Sequence, residues 1–116
     1  MIEIPREAFE ELVAAALDTL PAELAAMLDN VVVLVADEAP ADEPDLLGLY
    51  SGIPLTERDS RYAGALPDTV TIFRNPILRM CSSAGEVVEE VRITVAHELA
   101  HHFGIDDDRL AELGYD

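Results

Sequence analysis

The sequence predicts an α+β fold, with helices packed on a small mixed or antiparallel sheet. Three observations predict it: an amphipathic stripe near the N-terminus, two short runs rich in β-branched residues at 31–35 and 69–73, and a long helical pattern over 86–103. At 116 residues the chain suits a single domain spanning 1–116, long enough to bury a core without disulfides or a structural metal.

Residues 7–20 read as a helix with Phe9, Leu12, Val13, Ala16, Leu17 and Leu20 on one stripe. Pro21 suits the first turn of a following helix, which turns Leu24, Ala25 and Leu28 inward and ends near Asn30. Residues 31–35 have the unbroken apolar pattern of a buried strand. Residues 37–45 are acidic and carry Pro40 and Pro44, which marks a solvated connection. Residues 46–50 form a second short strand. Gly52, Pro54, Gly64 and Pro67 break the polar stretch 51–67 into loop. Residues 69–73 alternate and give the clearest strand. Asn75 as N-cap and Pro76 as first helical residue open a short helix to about Cys81. Gly85 precedes the long helix, whose apolar seam is Val88, Val91, Val95, Leu99 and Phe103. Gly104 is a natural stop. The aspartates at 106–108 can cap a last short helix carrying Leu110 and Leu113.

Seven arginines, no lysine and 24 acids leave a net charge of −17. Such a surface repels phosphate, so nucleic acid and anionic membrane are not expected partners. It favours solubility, metal cations and basic or neutral peptides. Cys81 is the only cysteine, so there is no intramolecular disulfide and no thiolate metal framework. Residues 1–7 carry no basic leader, and Asp18 and Pro21 interrupt the apolar stretch that follows. Neither a signal peptide nor a membrane span is expected, which points to a reducing cytoplasm.

The informative segment runs from Val95 to Asp107 and contains H-E-x-x-H followed by x-x-G-x-x-D. Residues four apart on a helix share a face, so His97 and His101 can present two imidazoles to one ion. That pair is expected on the face opposite the Val95–Leu99 seam. Glu98 follows the first histidine and is placed to take a proton from water and pass it to a leaving amine. Both histidines lie near the helix C-terminus, where the backbone dipole favours a cation. Gly104 can turn the chain so that Asp107 returns as third ligand, leaving the fourth position of a zinc site open. Asp106 and Asp108 have the same chemistry, and any of the three can instead be an N-cap. His102 points about 100° from His101 on a 3.6-residue helix and is expected to support the site or lie on the surface. Tyr50, Tyr62 and Tyr115 are candidates to stabilise an oxyanion, though packing explains each as well. Cys81 reads as an inert core residue.

The pattern His97-Glu98-x-x-His101-x-x-Gly104-x-x-Asp107 resembles the extended signature of the metzincin clan, with aspartate in place of a third histidine. The chain is also similar to a family of small bacterial minimal zincins regarded as zinc metallopeptidases. Further matching segments are Leu46-Leu47-Gly48-Leu49-Tyr50-x-Gly52-x-Pro54-Leu55-Thr56, Leu66-Pro67-Asp68, and Ile72-Phe73-Arg74-x-Pro76-Ile77-Leu78. The last is Val91-Arg92-x-Thr94-Val95-x-His97-Glu98, continuing to Asp107. The resemblance implies a minimal zincin-like fold, zinc (Zn2+) on His97, His101 and Asp107, Glu98 as general base, and a peptide or protein substrate. In zincins a peptide substrate often pairs with an edge strand, and 69–73 can be that strand or equally an interior one. One departure is plain: metzincins place a methionine turn after the motif, whereas Met1, Met27 and Met80 all precede it. Two other functions fit part of the pattern. One is a non-catalytic metal-binding or adaptor domain. The other is a ribonuclease like the bacterial ribosomal-RNA maturation family, whose third histidine is missing here.

Overall fold

The computed structural model describes residues 2–52 and 68–112, apart from the side chains of Asn30 and Asp107. In chain order come α1 (Arg6–Asp18), α2 (Ala22–Met27), a 3-10 turn (Leu28–Asn30), β1 (Val31–Ala36), β2 (Gly48–Ser51), β3 (Asp68–Phe73), α3 (Arg74–Arg79), α4 (Ala84–Phe103) and α5 (Asp107–Glu112). The class is α+β, as expected. The three strands form a mixed sheet in the order β1-β3-β2, with β1 parallel and β2 antiparallel to β3. Among the described residues no helix is long and apolar enough to cross a membrane.

One strand expectation needs correction and one open alternative is decided. β1 is not buried on both faces: Val31, Val33 and Val35 pack on the core, while Val32 and Leu34 are 41% and 50% exposed. The reason is that the helices cover only one face of the sheet, so an apolar run cannot be buried twice. Of the two positions open to 69–73, β3 takes the interior one, because it pairs with β1 on one side and β2 on the other. Its Val70 and Ile72 are fully buried. Among the described residues, the outer strand that adjoins the long helix is β2.

The core forms where α1 and α4 cross the sheet, through Phe9, Val13, Ala16, Ile72, Val91, Val95 and Leu99. The long helix starts at Ala84, one residue before Gly85, because Ser83 caps it. The Ser83 hydroxyl accepts from the Glu86 backbone N–H at 3.2 Å, and the Glu86 carboxylate accepts from Ser82 N–H at 3.0 Å. This is a near relative of the capping box. The buried face of α4 is wider than the expected seam and shifted along it. Val87, Thr94, Ala96 and Ala100 are buried, whereas Phe103 is 47% exposed. A helix pressed between α1 and the sheet buries more than one stripe. The short helix α3 begins at Arg74, after Phe73, so Asn75 is not its N-cap. The Asn75 amide instead donates to Glu38 at 2.7 Å, while Arg74 donates to Asp37 and to the Ile4 carbonyl.

α4 comes close to the sheet at Gly48. A Cβ there would lie 2.6 Å from Thr94 Cγ2 and 3.2 Å from the Thr71 carbonyl oxygen. Thr94 is buried and β-branched, so it has little room to turn away. Gly48→Ala is expected to destabilise the fold by about 1–3 kcal/mol through overpacking, read as a lower urea midpoint with an unchanged slope.

Candidate functional site

The last two turns of α4 carry His97, Glu98, His101 and His102. Their neighbours Ala96, Leu99 and Ala100 are fully buried. His97 and Glu98 are half-buried and His101 is exposed. The histidine pair therefore lies at the margin of the buried face, not opposite it as the seam suggested. The wider burial of α4 brings that margin round to His97. The two imidazoles are adjacent, with ring centroids 6.2 Å apart and planes at 79°. One helical turn thus puts them side by side, as their spacing predicts.

Glu98 is placed by the sheet as well as by its helix. In the antiparallel register Phe73 N–H donates to the Leu47 carbonyl at 2.9 Å. Alternate residues Leu47, Leu49 and Ser51 therefore face β3, and Gly48 and Tyr50 turn their backbone groups to the outer edge. There the Tyr50 backbone N–H donates to the Glu98 carboxylate. Burial pushes the Glu98 carboxyl above the ordinary glutamate range, opposed by His101, the Tyr50 N–H and His97 in that order. Because the folded pKa is raised, ionising Glu98 opposes folding. Below the ordinary glutamate range both states are protonated and nothing is lost. As pH rises through the raised folded pKa, wild type loses stability that Glu98→Gln, which cannot ionise, retains. Urea melts in chelator are therefore expected to coincide at about pH 3 and to favour the glutamine variant at about pH 7.

Tyr50 joins the site to β3. Its hydroxyl donates to Asp68 Oδ2 at 2.7 Å, and its ring stacks on His102 at 3.8 Å between centroids and 14° between planes. His102 Nε2 lies 3.7 Å from the same Asp68 oxygen. Phe103 packs edge-on against both rings. His102 thus braces the site and does not share the His97–His101 direction. Asp68 is a site residue that reading by spacing missed. Its only signal was the Leu66-Pro67-Asp68 segment of the resemblance.

After Gly104, at φ 74°, the Ile105 N–H returns to the Ala100 carbonyl at 2.9 Å. The glycine does make the bend, since a left-handed residue at this place is strained with any side chain. Asp106 then caps α5, its Oδ1 accepting from Arg109 N–H at 2.8 Å. That role makes Asp106 a cap. Asp107 is the first residue of α5, one turn past the bend, and its side chain lies outside the described structure. Asp108 is exposed. α5 is held by Leu110, which is buried, and by a two-pronged contact of Arg109 with Glu23 of α2 at 3.0 Å each. Among the described residues no three histidine, cysteine or acidic side chains converge as a metal site. The donor chemistry of two adjacent imidazoles with an acidic turn beyond them fits zinc. Tyr62 and Tyr115 lie outside the described residues. Cys81 is buried, and its thiol is pushed above its usual range by that burial and by Glu90 and Glu86. Its place in the core fits the reading of Cys81 as a packing residue.

Among the described residues, two cavities meet at Glu98. One, of about 460 Å³, is lined by Tyr50, Gly52, Glu98, His101 and His102. The other, of about 330 Å³, runs along α4 from Glu90 to His97 and Glu98.

Residues 28–115 match the family described as zincin-like metallopeptidase. No curated protein matches the chain. Among solved structures it is similar to a conserved hypothetical protein from Thermus thermophilus. The two share 26% sequence identity, with 93% of this chain and 98% of that one covered at a TM-score of 0.56.

Proposed function

Because the chain belongs to the zincin-like metallopeptidase family, we propose that it is a zinc-dependent peptidase whose metal is held by His97, His101 and Asp107. The observation that carries this reading is Glu98, a half-buried carboxylate between two cavities, oriented by a backbone N–H from the sheet edge and flanked by the two imidazoles. When bound, zinc would act as a Lewis acid on the scissile carbonyl and lower the pKa of water to about 7. Glu98 accepts the proton from the attacking water and returns it to the departing amine. Its raised affinity for protons suits both halves of that task, because the best base is also a usable acid near the working pH. Tyr50 holds the carboxylate in place, and Asp68 and His102 hold Tyr50. β2 is the outer strand beside Glu98 among the described residues, and an extended peptide would add to the sheet there. A single buried cysteine suits a reducing compartment, the cytoplasm.

Two measurements test the reading together. Elemental analysis of purified protein is expected to find stoichiometric zinc. A mixed peptide pool followed by mass spectrometry is expected to show cleavage that a chelator stops and zinc restores. Cleavage that survives complete removal of metal would overturn the assignment.

A further inference from the structure

We propose that the groove between α4 and the segment leading into β2 is a subsite for a lysine or arginine side chain of the peptide substrate. The inference deepens the peptidase reading and rests on it. The groove is the cavity of about 330 Å³ that opens onto His97 and Glu98. Its helix wall is Glu90, Ile93 and Thr94, at the same helical spacing that continues to His97 and Glu98. Its other wall is Asp45, Leu46 and Leu47.

The lining joins an apolar part, the half-buried Leu46, Leu47 and Ile93, to two acids besides Glu98. The Glu90 carboxylate stands two helical turns from Glu98, about 12 Å along the axis, and Asp45 lies on the opposite wall. Neither acid makes an ion pair among the described residues. Among the described residues, Arg79 is engaged with Glu38 and the Pro44 carbonyl, and Arg92 with Glu89. An aliphatic stem ending in a cation matches this lining, since such side chains lay their methylenes on apolar surface and keep the charge at a polar end. An acidic side chain would be repelled. A purely apolar one would desolvate two carboxylates without pairing them. The net charge of −17 draws basic peptides in the same direction.

The test uses the full chain in chelator, so that nothing is turned over, and blocked tripeptide amides with arginine, lysine, norleucine or glutamate at the centre. Binding is followed through the methyl NMR signals of Leu46, Leu47 and Ile93. The arginine and lysine peptides are expected to bind about tenfold more tightly than norleucine, from hydrogen bonds to charged partners. The glutamate peptide is expected not to bind. The double variant Asp45→Asn with Glu90→Gln should erase the difference while melting like wild type. Equal binding of norleucine, or a preference that survives the double variant, overturns the subsite. Cleavage of the same peptides by zinc-loaded protein is scored separately. Cleavage with no basic preference removes the subsite and leaves the peptidase. A basic preference in binding with no cleavage of any peptide removes the peptidase and leaves the cation groove.

Discussion

Glutamine at position 98 is expected to lower kcat/KM for peptide hydrolysis by about 10²–10⁴-fold, the usual worth of a positioned general base, while zinc uptake is unchanged. The substitution keeps the shape of the side chain. Its amide oxygen can still accept from the Tyr50 N–H that holds Glu98, so the group stays in place and only its capacity to take a proton is lost. Zinc content and kcat/KM should be measured on the same preparation. A variant that cleaves as fast as wild type would show that the proton goes elsewhere. One that also loses zinc would show that Glu98 is a ligand, contrary to its assigned role.

Alanine at His101 is expected to weaken zinc binding by more than about 10²-fold, since removing a residue that merely orients a ligand already costs 10- to 100-fold. His101 is exposed, so its removal leaves the core intact, and the metal-free variant should melt like metal-free wild type. A competition titration with a chromophoric chelator measures the loss. His102→Ala is the control. That ring stacks on Tyr50 and faces Asp68, so its loss is expected to change zinc affinity by about tenfold at most. Equal affinities for wild type and His101→Ala would remove the metal site from this helix.

The elements with a strong period were readable in advance. Phe9, Val13 and Ala16 of α1 and Val91, Val95 and Leu99 of α4 are buried as their spacing predicts. The α+β class and the strand at β3 follow from the same local pattern. The errors share one cause. Val32 and Leu34 look like core by composition and are exposed, because local pattern says nothing of how many faces of a sheet are covered. Phe103 continues the seam of α4 by spacing, yet the packed part of the helix ends before it. Asn75-Pro76 looks like a helix start, but Asn75 is taken up by Glu38 across the chain.

By itself the sequence determined which side chains share one helical turn: His97 and His101 are neighbours because a helix repeats every 3.6 residues, and Gly104 bends the chain because it lacks a Cβ. Only the tertiary structure decided which strand edge meets that turn. The order β1-β3-β2 leaves β2 beside α4, and the register turns the Tyr50 N–H outward to Glu98. Strand order and register depend on contacts between residues distant in the chain. The Tyr50–Asp68–His102 brace and the groove toward Glu90 arise from the same kind of contact, which no local period encodes.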